Sequence, residues 1–144
     1  MASSRNRVPD QTSEEINSRI RHRTAVRVHY YSRHREEIPR RLRQLDHEWD
    51  IERAIEANAA TLAFLGVALG ATRDRRWLAL PALVTGFLFQ HAVQGWCPPV
   101  PVLRRLGFRT AFEIEVERQA LKALRGDYGQ AERSGRSALH AARA

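Results

Sequence analysis

One cysteine and one lysine are the first things this chain is short of. Cys97 alone excludes an internal disulfide framework, and without a second cysteine or clustered histidines around it a zinc site has too few ligands. Neither a metal nor a cofactor is therefore expected. Lys122 is the only lysine among 24 cations, so the formal charge of +8 is carried by arginine. The first 50 residues hold no apolar run that would serve as a signal-peptide core, and no internal repeat is visible. At 144 residues the chain has the size of one ordinary domain.

Charge is also missing, but only from the middle. Residues 1–53 hold 12 Arg and 9 acids, residues 54–103 hold 3 Arg and 2 acids, and residues 104–144 hold 9 cations and 5 acids. Residues 57–72 contain no charge, Arg73, Asp74, Arg75 and Arg76 make a short polar break, and the 27 residues 77–103 are again uncharged. This pattern predicts an all-α chain built on a two-helix transmembrane hairpin flanked by cytoplasmic amphipathic helices. A span needs roughly 20 apolar residues to cross about 30 Å. The second run is long enough. The first reaches only about 24 Å as a helix, so it crosses if Arg53, Glu56 and Arg73 extend their heads to the interfaces or the bilayer thins.

Three features favour lipid over a protein core. Trp77 and Trp96 would sit about 28 Å apart on a continuous helix, near the spacing of the two aromatic belts. The Arg-rich flanks make a poor cover for two helices that are apolar on nearly all faces. Both runs also carry small residues at helical spacing, Ala59, Ala63, Gly66 and Gly70 on the first and Ala79, Ala82 and Gly86 on the second. Gly66 and Gly70 form a GxxxG match, and small side chains permit the close backbone approach that drives helix association in lipid. The plainer reading is that alanine is common in helices. Pro81 falls in the first turn or so of the second helix, where a missing N–H matters least.

Near the spans eight arginines flank the hairpin and three occupy its turn, which places both termini in the cytoplasm. The spans themselves would then target the chain to a bacterial inner membrane as a two-span protein. A turn centred near Asp74 brings Glu56, Asn58 and Thr61 to the depth of Gln90, His91 and Gln94. These six read either as an interhelical hydrogen-bond clamp or as a polar pocket or proton site around His91. At the exit of the second run, Gly95-Trp96-Cys97-Pro98-Pro99-Val100-Pro101 predicts a helix stop followed by an extended segment along the interface. Cys97 is expected at the membrane surface, open to reagents. It serves either as a thiol or sulfur relay, aided by Arg104 and Arg105 folding back, or simply as a small amphipathic residue.

The apolar hairpin followed by Gly-Trp-Cys-Pro-Pro and then Leu-Arg-Arg-Leu-Gly resembles the YgaP-like transmembrane domain, a bacterial family of mostly unknown function. That domain also occurs as the membrane tail of an inner-membrane rhodanese. The resemblance spans roughly residues 51–107, with Gly95, Cys97, Pro98 and Gly107 as its most specific positions. It implies a two-helix inner-membrane domain that often self-associates. The chain departs from the rhodanese arrangement, since it has neither a second cysteine to act as a sulfurtransferase nucleophile nor an α/β domain.

The flanks read as helical. Thr12 and Glu15 match a capping box before an Arg-rich stretch, although residues 25–31 alternate in a way that also suits a strand. Ile38, Leu42, Leu45 and Trp49 form an apolar stripe on a helix expected to run into the first span. Its charged face suits anionic lipid, a copy of itself or simple solvation. Thr110 and Glu113 match a second capping box, Ile114, Leu121 and Leu124 form a stripe, and Gly126 is a stop. The expected organisation is a disordered 1–11, an Arg-rich cytoplasmic 12–53, a transmembrane 54–103, a cytoplasmic helix 104–126 and a disordered 127–144. The favoured function is non-enzymatic. A lipid-embedded hairpin associates with itself or with a membrane protein partner. The competing class is a soluble Arg-rich nucleic-acid binder; against it, 9 acids interrupt the 12 N-terminal arginines.

Overall fold

Among residues 5–129, which the computed structural model describes, every regular element is helical. The strand alternative for residues 25–31 is not realised, because they lie inside α1 (Glu14–Arg33). Glu14 and Glu15 occupy the first turn of α1 and Arg33 the last, the order that the helix dipole favours. The chain forms two units, one of residues up to Arg19 with Trp49–Ala111, the other of Ile20–Glu48 with the residues from Phe112 onward.

The first unit contains α3 (Ile51–Thr72), α4 (Ala79–Gln94) and α5 (Pro99–Leu106). Its core is a cluster of Val8, Ile51, Ile55, Cys97 and Val100, with Leu88, Leu103 and Phe108 packed against it. The N-terminal segment, expected to be disordered, is instead tied down in the part described. Val8 is 1% exposed, and Pro9–Gln11 form a 3₁₀ turn. The capping box of Thr12 with Glu15 does not form. The Thr12 hydroxyl donates to the Val8 carbonyl at 2.8 Å, and Glu15 accepts from Arg19 at 2.8 Å. Asn17 holds the turn to the helix by donating to the Pro9 carbonyl at 2.9 Å, a backbone acceptor that a side-chain motif does not reveal.

The second unit contains the remainder of α1, α2 (Ile38–His47) and α6 (Ala111–Arg125) from Phe112. Ile38, Leu42 and Leu45 of α2 meet Ile114 and Leu121 of α6, with Tyr31 and Leu124 alongside, as the stripes predict. Helix α2 does not continue into α3. It stops at His47, and Asp50 caps a new helix by accepting from the Arg53 N–H at 2.6 Å. Trp49 consequently leaves the stripe. It is exposed, and the Arg53 guanidinium lies 4.6 Å over its ring. Helix α6 begins just after Thr110 and ends at Gly126, whose φ of 93° is the left-handed stop that glycine supplies. The tail expected to be disordered, 127–144, lies outside the described residues beyond Gly129.

Glu117 sits on the apolar stripe of α6 and is fully buried. Arg27 donates to it at 3.0 and 3.2 Å and Arg41 at 2.8 Å, so one carboxylate is shared by two guanidinium groups. A buried charge left without one partner is far more costly than the pair is favourable. Glu117→Ala is therefore expected to destabilise the chain by about 3–5 kcal/mol in denaturant titration, while Glu115→Ala, on a more exposed pair with Arg118, changes stability by less than about 1 kcal/mol. Equal effects from the two would remove Glu117 from the centre of this unit.

Candidate functional site

Helices α3 and α4 are joined by a tight turn and pack against one another. In that turn Asp74 accepts from the Arg76 N–H at 2.9 Å and starts a 3₁₀ turn, Arg75–Leu78, that leads into α4. Gly66 and Gly70 set the closeness of the approach. A Cβ on Gly66 would lie 2.5 Å from Pro81 Cδ, and one on Gly70 would lie 2.7 Å from Leu78 Cδ2. Farther along, Ile55, Ala59 and Leu62 of α3 border a small cleft with Val84, Phe87 and Leu88 of α4. Ala63, the remaining member of the α3 stripe, is half-buried.

The α4 stripe behaves differently. Ala79, Ala82 and Gly86 are exposed, and nothing lies within 4 Å of a Cβ built on Gly86. The expectation that both stripes line one contact is corrected. The reason is steric: small residues of α3 accept large ones, Leu78 of the 3₁₀ turn and Pro81 of α4, and Val84 and Leu88 continue the α4 face at three- and four-residue steps. The outward small face instead floors a groove of about 420 Å³ lined by Ala82, Leu83, Gly86, Phe87 and Gln90.

Large apolar side chains point away from the protein. Phe64 and Phe89 are each 73% exposed, and Leu65, Val67, Leu83 and Val93 are also exposed, whereas Gly66, Gly70 and His91 are buried. Among the described residues one helical segment, ending in α3, is long and apolar enough to cross a membrane, and only 17% of its most apolar window is buried. The lengths reverse the sequence expectation. Helix α3 has 22 residues, because it recruits the charged turn 51–56, while α4 has only 16.

The six-residue polar clamp is not assembled. Asn58 donates to the Ala54 carbonyl and Thr61 to the Ala57 carbonyl, each at 2.8 Å, so both bond within their own helix. Thr72 and Thr85 do likewise, to Ala68 and Pro81. Such i to i−4 bonds satisfy a polar group without a partner helix, and they win here because the backbone acceptor is always within reach. Glu56 and Gln94 are exposed and Gln90 is half-buried. His91 is buried, and neither ring nitrogen has a hydrogen-bond partner among the described residues. Close by, Arg7 donates to the Ala92 carbonyl at 2.8 Å.

Gly95, Trp96, Cys97 and Pro98 do form a junction. Gly95 ends α4 with a φ of 80°, and a Cβ there would lie 2.3 Å from the Arg7 carbonyl oxygen, so only glycine admits both the turn and the overlying N-terminal segment. Trp96 is half-buried. Cys97 is 2% exposed, which corrects the expectation of an accessible thiol. It lies in the apolar cluster of the first unit. Arg104 donates to Asn17 and Phe108, so it does not activate the thiol, and Arg105 is exposed. Residues 98–101 are not extended either. Pro98 caps α5, and Pro99 and Pro101 occupy its first turn, where missing N–H groups leave nothing unpaired. No group of three His, Cys, Asp or Glu is placed to hold a metal ion among the described residues.

Comparison with known proteins returns no match to a family model, a curated protein or a solved structure. The packing itself supplies a test. Gly66→Leu is expected to force α3 and α4 apart and lower stability in detergent by about 1–3 kcal/mol, whereas Gly86→Leu leaves it within about 0.5 kcal/mol. Equal losses in thermal unfolding would contradict the assigned faces.

Proposed function

We propose that the chain is a small, non-enzymatic protein of a bacterial inner membrane, in which α3 and α4 cross the bilayer as a hairpin and serve self-association or the docking of a membrane protein. The observation that carries this reading is the inverted packing of the pair: glycine and histidine face inward while Phe64, Leu83, Phe89 and Val93 face out. In water the large apolar side chains would be the ones buried, since soluble monomers rarely expose contiguous apolar patches above a few hundred Å². In lipid that drive is absent, and close approach through small residues takes its place. The back-bonded Thr61, Thr72 and Thr85 fit the same solvent, because each hydroxyl donates to a carbonyl of its own helix, and Asn58 places one amide N–H the same way.

Helix α3 covers about 33 Å and α4 about 24 Å, and the exposed Trp77 and Leu78 of the preceding turn lengthen the second span toward its interface. Arginines dominate the flanks, so both termini are assigned to the cytoplasm. The resemblance of residues 51–107 to the YgaP-like domain implies a two-helix inner-membrane domain that self-associates, in keeping with this reading. Since α3 spends its glycines within the chain, the outward Ala79, Ala82 and Gly86 of α4 are the face assigned to a second copy or a partner. A nucleic-acid role is disfavoured, because Arg27, Arg41 and Arg118 are paired with Glu117, Glu48, Asp46 and Glu115.

Alkaline carbonate washing of membranes is expected to leave the full chain in the pellet, and a periplasm-active reporter is expected to work when fused after Arg75 and to be silent after Gly126. Release into the supernatant, or the reverse reporter pattern, would refute the reading. For the association face, Gly86→Leu is expected to reduce in-membrane cross-linking between copies at least about tenfold, the equivalent of 1.4 kcal/mol. Undiminished cross-linking with a stable hairpin would move the interface elsewhere.

A further inference from the structure

Helix α5 carries apolar residues on its inner and its outer side. Val100 is fully buried and Leu103 packs on the core cluster, yet on the same inner side Arg104 is 1% exposed. Its guanidinium donates to Asn17 Oδ1 at 2.9 Å and to the Phe108 carbonyl at 3.2 Å. Those bonds, with the left-handed stop at Gly107 (φ 96°), fix the rotation of the helix about its axis. The outer side then carries Val102 at 58% and Leu106 at 71% exposure, with Pro99 exposed and Arg105 beside them.

The opposite rotation would bring Val100 and Leu103 out and Arg105 in, so packing within the unit leaves Val102 and Leu106 uncovered either way. An apolar environment on the outer side covers them. Two aliphatics and a proline offer far less than the roughly 800 Å² that each partner of a stable protein interface contributes, so a protein partner held by this face alone is undersized. A bilayer surface has no such threshold. In the chain α5 follows α4, whose last turns expose Phe89 and Val93, after the short junction 95–98, and the exposed Trp49 with its stacked Arg53 stands at the start of α3, whose first turn shares the core cluster with α5. Apolar residues bordered by aromatic and arginine side chains match the chemistry of the acyl and phosphate boundary.

We infer that α5 is an in-plane anchor that docks its outer face, Pro99, Val102 and Leu106, on a phospholipid surface, with Arg105 at the level of the lipid phosphates. This rests on the membrane reading above and adds to it a fixed depth for the chain beyond the second span. The apolar face lies about 5–10 Å into the headgroup and acyl boundary, and α5 runs along the surface without crossing it.

The test uses the full chain with an environment-sensitive fluorophore on Leu106→Cys, the buried Cys97 being left in place and single labelling verified by mass. Val102→Cys provides a second position on the same face, and Phe64→Cys a reference within α3. Each is reconstituted in vesicles of phosphatidylethanolamine and phosphatidylglycerol that carry a nitroxide either near the headgroup or at mid-chain. At Leu106 and Val102 the shallow nitroxide is expected to quench at least about twofold more than the deep one, and at Phe64 the order reverses. Quenching at Phe64 with none at Leu106 and Val102 overturns the anchor while leaving the membrane reading intact. Deeper quenching at Leu106 than at Phe64 overturns the in-plane orientation. Absence of quenching at all three positions overturns the membrane reading, and the anchor with it.

Discussion

The close approach of α3 to α4 is the contact on which the rest of the first unit depends. It exists because Gly66 and Gly70 present no side chain toward Pro81 and Leu78. With α3 seated through glycine on Leu78 and Pro81, Phe64, Leu65, Leu83, Phe89 and Val93 are turned outward. At α5, Val100, Leu103 and Arg104 lie inside while Val102 and Leu106 are left outside. The N-terminal segment completes the unit by seating Val8 in the core and the Arg7 carbonyl on Gly95.

The second unit obeys the ordinary rules of an aqueous domain. Apolar stripes of α2 and α6 meet, and charges lie around them. Its exception is Glu117, which sits inside the stripe and is held by Arg27 and Arg41. Such an arrangement gives up the hydration of a carboxylate and recovers it only when both guanidinium groups are in place, so it selects one helix packing over its neighbours more than it adds stability. Arginine suits this role because its planar fork reaches a shared carboxylate from two directions and stays charged. Arg27, Arg41 and Arg118 thus find their partners within the chain.

Much of this was legible from residue patterns, and what was not has identifiable causes. The all-helical class, the stripe of Ile38, Leu42 and Leu45, and the stop at Gly126 follow from periodicity and backbone chemistry, which are local. The α4 stripe was misassigned because periodicity identifies a face but not its neighbour, and contact pairs small residues with large ones as readily as with small. The polar clamp failed for a related reason: depth matching ignores the backbone carbonyl four residues back, which captures Asn58 and Thr61 first. The three prolines after Cys97 were read as an extended segment, yet prolines confined to a first turn begin a helix as well as they end one. Glu117 was visible as an acid three residues from Ile114 and four from Leu121, and its position within the stripe was the signal. Val8 gave none, since a lone valine in a polar segment has no period.

The central claim is that the solvent around α3 and α4 is hydrocarbon. Its most direct measurement is footprinting of the full chain in membranes with a carbene precursor dissolved in the bilayer, the modified residues being located by mass spectrometry. Modification is expected at Phe64, Leu83, Phe89 and Val93 and none on the α2 and α6 stripes. Unmodified outward positions on α3 and α4, together with their modification by a water-soluble reagent, would contradict it.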